Sequence, residues 1–174
     1  VQALLRQTPP GQAAEAWLVC DHRFIRRYGL GAVKPAPMPM GHWLRNGYLH
    51  RGRDLHELAQ RCGIQAQPLQ ATVARYNTMA LAGQDTDFAK GETPYNRVQG
   101  DAAAGHANPC MAPLLQGPYY AVKVVVGSLG TFAGLRVNAQ AQVLGPDQVP
   151  VPGLYASGND MGSVMQGHYP SGGI

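Results

Sequence analysis

"PVPGLYASGNDMGSVMQGHYPSGGI" occupies residues 150–174, and its reading decides the fold class. It begins as a short strand through Leu154 and Ala156, then breaks into the small residues Ser157 and Gly158. Small residues at a strand end let a backbone come close to a bound group. The stretch closes on Tyr169-Pro170 followed by Gly172, Gly173 and Ile174, turn chemistry rather than a polar tail. Just upstream, "YYAVKVVV" (119–126) is apolar and β-branched, which predicts a strand. "LRVNAQAQVLGPDQVPVPGLY" adds two further short strands around the Gly145-Pro146-Asp147 turn.

The first two thirds read differently. "VQALLRQ" (1–7) has the character of a helix before the turn "TPPGQ", and "AWLVCD" (16–21) that of a short buried strand. "HRFIRRYGLG" breaks at Gly29 and Gly31, and "KPAPMPMG" (34–41) is an extended loop because proline fixes φ and removes donors. Asp54 and Glu57 stand at capping-box spacing before the apolar stripe Leu55, Leu58, Ala59 and Cys62, with Gly63 as the stop. A second helix has Pro68 in its first turn, Leu69, Val73, Tyr76 and Ala80 on one face, and Gly83 at its end. The two are expected to form a helical hairpin. "GQDTDFAKGE" (83–92) is a polar loop whose Asp85 and Asp87 resemble the start of a calcium loop without its later ligands, so no metal is expected.

Composition narrows the class. Of 174 residues, 22 are Gly and 14 Pro, which implies many turns and argues against a helical bundle. The formal charge of +4 is partly clustered in Arg23, Arg26, Arg27, Arg45, Arg51 and Arg53, either a solvated face or a site for an anionic group. Nucleic acid is not the expected partner, since no recognition motif accompanies the charge. Cys20, Cys62 and Cys110 are far apart and odd in number, which fits a reduced, cytoplasmic setting. No run approaches the ~18 apolar residues of a membrane helix. A composition shift near Pro118 separates residues 1–118, of mixed helices, from 119–174, of strands and glycine loops. With no initiating Met and a first segment that reads as mid-helix, both ends are expected to be cuts.

The segment 127–174 resembles the final part of the fumarate reductase/succinate dehydrogenase flavoprotein superfamily. Its ending, Gly158-Asn159-Asp160, Ser163-Val164-Met165 and Gly167-x-Tyr169-Pro170-x-Gly172-Gly173-Ile174, is most similar to 3-ketosteroid dehydrogenases. "AWLVCDHRFIRRYG", "GYLHRG", "TVARYN" and "QDTDFAKGETPYNR" resemble the substrate-side (cap) domain of the same enzymes. The resemblance implies an α+β chain: a substrate-domain part over 1–118 with short helices and a small antiparallel sheet, then strands of an incomplete FAD-binding domain over 119–174.

The resemblance also implies roles. Gly158, Asn159, Asp160, Ser163, Gly172 and Ile174 would meet FAD, with Asn159 where the family often has a Glu bonding a ribityl hydroxyl. Tyr169 and the amide of Gly173 would both hydrogen-bond the C3 carbonyl oxygen of a steroid-like ketone, acidifying the neighbouring C–H. A second tyrosine, upstream of this chain, would take the proton while hydride leaves to flavin N5. The phosphate-binding G-x-G-x-x-G is absent, so FAD is not expected to be held tightly by these residues alone. Two rivals are a fumarate reductase-like enzyme for a small carboxylate, kept open by the arginines, and a non-catalytic binding module. Exposed strand edges suggest a homodimer.

Overall fold

The computed structural model describes residues 2–127 and 133–163. Tyr169, Gly172, Gly173 and Ile174 lie outside the described residues. The chain divides into two compact units, one ending at Val125 and one beginning at Val126.

The first unit is organised by a three-stranded antiparallel sheet. Its elements are α1 (Gln2–Gln7), β1 (Glu15–Asp21), α2 (His22–Tyr28), α3 (Gly41–Arg45), β2 (Leu49–Gly52), α4 (Leu55–Cys62), α5 (Ala66–Ala82), α6 (Pro94–Val98) and β3 (Tyr119–Val125). The strand order is β1-β3-β2, with Asp21 opposite Tyr119 and Leu49 opposite Val122. The "YYAVKVV" strand is thus the centre of the first unit's sheet, and it pairs on both edges. Its apolar run follows from that position, since Tyr120, Ala121 and Val122 are all buried.

Strand alternation assigns the two faces. Cys20, Tyr120, Val122 and Leu49 share one face and form a buried cluster with Ile25 and Val33, against which Trp43 and Leu44 rest. Ala121 and Gly52 point the other way, toward α4, whose Leu58 and Ala59 are fully buried. Gly52 is needed there: a Cβ on it would lie 2.4 Å from the Leu58 nitrogen. β1 is less buried than its apolar run predicts, because it is an edge strand with Leu18 exposed; only Cys20 and Asp21 are sealed.

Local capping explains the helices. The Asp21 side chain accepts from the Phe24 amide and starts α2, and Gly29 at φ 79 ends it. The Asp54 carboxylate accepts from the Glu57 amide at 2.8 Å while Glu57 accepts from the Arg53 amide at 2.9 Å, a reciprocal clasp at the head of α4. Gly63, at φ 67, provides the left-handed stop. α4 and α5 pack as the expected hairpin. Asp85 is buried and its carboxylate accepts from the amides of Asp87, Phe88 and Lys90, so its oxygens close its own loop. Among the described residues no helix is long and apolar enough to cross a membrane.

The second unit contains a two-stranded antiparallel ribbon, β4 (Gln142–Leu144) and β5 (Pro150–Tyr155), joined through the Gly145–Asp147 turn. Short helices with small antiparallel sheets make the chain α+β, as the family resemblance implied.

Leu58→Ala removes a fully buried side chain where α4 meets the sheet. It is expected to destabilise the first unit by about 2–5 kcal/mol, read as a lower urea midpoint at unchanged m-value.

Candidate functional site

β5 runs into the turn that the sequence singled out. Its last residue, Tyr155, pairs with Gln142, and the Ala156 amide donates to the Ala141 carbonyl at 3.0 Å. Asn138 builds the platform beneath: its side-chain oxygen accepts from the Gln140 and Gln142 amides at 3.0 Å each, and its NH₂ donates to the Gln142 side chain at 2.8 Å. Ala156 is thereby held nearly buried. Ser157 is extended, and Gly158–Asp160 form one 3₁₀ turn.

A second segment braces that turn. The Leu135 amide donates to the Asp160 carbonyl at 2.8 Å, and the Gly162 amide donates to the Leu135 carbonyl at 2.8 Å, a parallel bridge between 135 and 161. The approach is close enough that a Cβ on Gly134, whose φ is +62, would lie 2.0 Å from the Met161 carbonyl oxygen. At Gly158, φ +58, a Cβ would meet no described residue within 4 Å. One glycine is therefore enclosed by the backbone of Met161 and Gly162, and the other is clear of the described residues.

Of the expected cofactor residues, Gly158, Asn159, Asp160 and Ser163 fall on this braced turn and its exit. Gly134 and Leu135 were not foreseen, although the Gly134-Leu135 pair closing the glycine-rich 127–134 run is a signal for a close backbone contact. The donor set fits one part of FAD. A Gly158 backbone clear of the other described residues, with amide, carboxylate and hydroxyl side chains at 159, 160 and 163, suits the polyol and the ring edge. It does not suit the pyrophosphate, for which Arg136 is the single cation described in the second unit and no long helix presents its N-terminus.

The first unit holds a separate feature, a cleft of about 640 Å³ lined by Leu44, Leu49, Arg51, Arg53, Glu57 and Arg61 together with Gly47 and His50. Leu49, His50 and Arg51 are consecutive strand residues that point to alternate faces. A cleft touching all three must run along the outer edge of β2, with α3 on one side and α4 on the other. Glu57 accepts from Arg53 Nε at 2.9 Å and from Arg61 Nη2 at 2.9 Å. The Arg53 amide, then the two guanidiniums, hold its carboxyl down at about 2. The sequence flagged Arg51 and Arg53 but missed Arg61, whose signal is the i, i+4, i+8 spacing Arg53, Glu57, Arg61.

Other aromatic and polar side chains of the first unit have structural partners. Tyr120 is core, its hydroxyl 3.0 Å from His22 Nδ1. The Tyr48 hydroxyl accepts from the Ala32 amide, and Tyr28 and Arg27 both bond Asp101. Trp17 meets His50 edge-on. Burial pushes the Cys20 thiol up to about 12 and the Cys62 thiol to about 11. Among the described residues no cluster of three metal-ligating side chains occurs.

Residues 1–174 match the FAD binding domain family along their whole length. The chain belongs to that family. A 4-oxocyclohex-2-ene-1-carboxylate 5-dehydrogenase of Sinomonas cyclohexanicum is 45% identical over 154 residues, 88% of this chain and 26% of its own. A 3-oxosteroid 1-dehydrogenase of Mycobacterium tuberculosis (strain ATCC 25618 / H37Rv) is 38% identical over 164 residues, 94% of this chain and 29% of its own. The solved 3-ketosteroid Δ1-dehydrogenase from Sterolibacterium denitrificans, in complex with 1,4-androstadiene-3,17-dione, shares 36% identity at a TM-score of 0.77, over 89% of this chain and 28% of that one. The chain thus spans 26–29% of the length of these relatives. The family resemblance read from the sequence holds, and FAD is the cofactor of the FAD binding domain family to which this flavoprotein chain belongs.

Two outcomes test the geometry. Gly134→Ala should speed exchange of the Leu135 and Gly162 amides by tenfold or more, whereas Gly158→Ala, whose Cβ meets no described residue within 4 Å, should cost about 1 kcal/mol and leave those amides protected. Glu57 has a folded pKa depressed from 4.5 to about 2, so its contribution is complete above 4.5 and is lost as pH falls from there toward 2. Glu57→Gln should flatten that acid limb when unfolding is followed by circular dichroism.

Proposed function

We propose that the protein containing this chain is an FAD-dependent dehydrogenase that introduces a double bond into a ring ketone next to its carbonyl, with 3-ketosteroids as the substrate type. The observation that carries the reading is the similarity, over 89% of the chain, to a solved 3-ketosteroid Δ1-dehydrogenase. The relatives' names share an oxo group on a six-membered ring, a cyclohexene carboxylate in one and a steroid in the other.

In this reading Tyr169 donates its hydroxyl proton, and Gly173 its backbone N–H, to the ketone oxygen. Two donors on one oxygen stabilise the negative charge that builds there as the adjacent C–H loses its proton. That proton goes to a base not contained in the chain. When bound, FAD supplies the two-electron acceptor for the accompanying hydride. Asn159 and Ser163 would hydrogen-bond the cofactor's polyol, and Gly158 would lie against it. The brace from Gly134 and Leu135 holds that turn in place, so its role is positioning rather than chemistry.

The test is turnover of the flavin-loaded protein with a 3-ketosteroid, a smaller cyclic ketone and fumarate. Ring ketones should be desaturated, and Tyr169→Phe should lower kcat about 10²-fold or more with KM changed far less. Fumarate reduction without ketone turnover, or a Tyr169→Phe enzyme of undiminished kcat, would sink the proposal.

A further inference from the structure

The arginines around β2 take no part in the chemistry proposed above, and of the basic run Arg51 and Arg53 line the cleft while Arg23, Arg26, Arg27 and Arg45 do not. Arg27 is tied to Asp101, and Arg26 donates to the Met38 carbonyl. Arg53 and Arg61 must share Glu57, while the Arg51 side chain has no hydrogen bond or ion pair with any described residue. The cleft lining therefore sets three guanidiniums against one carboxylate. Its apolar part is Leu49, buried at the floor, and Leu44 from α3. The volume, about 640 Å³, falls in the range of small-molecule sites.

We propose that this cleft binds a small molecule bearing a carboxylate, its charge held by Arg51 with Arg53 and Arg61 and its carbon skeleton against Leu44 and Leu49. A planar guanidinium matches a carboxylate in two parallel hydrogen bonds, and Arg51 is free to make them. Glu57 is then an internal competitor: the ligand's carboxylate takes over the guanidinium donors that Glu57 now occupies. A second copy of the chain is a poor occupant of this edge. Antiparallel self-pairing of β2 would bring Arg51 and Arg53 of both copies together. The source of the carboxylate is either the substrate itself, a clause that rests on the ring-ketone reading, or a separate small acid.

The experiment uses the 174-residue chain, with backbone amides of Leu49–Arg53 followed by NMR as cyclohexanecarboxylate, its uncharged carboxamide or inorganic phosphate is added. The carboxylate should move those amides saturably, the carboxamide should not, and added salt should weaken the effect. Arg51→Ala and Arg61→Ala should each weaken binding roughly two- to five-fold, the range of exposed ion pairs. Glu57→Gln, which keeps an acceptor for the Arg53 amide, should tighten it by a similar factor. Equal response to the carboxamide overturns the proposal. So do tighter binding of phosphate than of cyclohexanecarboxylate, indifference to Arg51→Ala, or weaker binding in a folded Glu57→Gln chain. In the flavin-loaded protein, Arg51→Ala raising KM for a carboxylated ring ketone but not for a neutral one assigns the carboxylate to the substrate. Lost binding with both KM values unchanged assigns it to a separate acid. The NMR titration does not depend on whether the ring-ketone reading survives, because binding there is read without turnover; only the KM comparison rests on it.

Discussion

The first unit depends on one long-range pairing, β3 against both β1 and β2. Tyr119–Val125 meets Glu15–Asp21 across roughly a hundred residues of chain. Nothing local draws these strands together, so the gain has to come from burial on both faces of the central strand. Tyr120 and Val122 close one face with Ile25 and Leu49; Ala121 closes the other under Leu58 and Ala59. α2, α3 and α4 are attached to that sheet, and α5 is attached through α4.

This explains which parts could be read from the sequence. α4 was legible to its last residue because its signals are local: Asp54 and Glu57 clasp the head, and Gly63 must be left-handed. β3 was legible because burial on both sides demands an unbroken apolar run. β2 was not, since "LHRG" has four residues and one inward leucine, and only its pairing with Tyr119–Val122 makes it a strand. α3 and α6, five residues each, likewise carry no periodicity to detect.

The candidate sites divide the same way. The turn after Tyr155 was readable as a turn because Ala156, Ser157 and Gly158 are small. What braces it was not, because the bonds between Leu135 and residues 160–162 link segments that share no pattern. In the first unit the charged residues were visible as a cluster, but not which of them the fold consumes. Asp101 takes Arg27 and Glu57 takes two arginines, and it is the fold that leaves the Arg51 side chain unpaired among the described residues in the cleft lining.

Gly52 carries a consequence for motion. With no side chain between them, the strand backbone and the first turn of α4 touch directly, and no water layer or pliable side chain cushions the contact. Two elements so joined cannot fray one at a time. β2 and α4 should breathe as one body, so any loosening of the sheet's outer edge is transmitted to the head of the helix that holds Glu57.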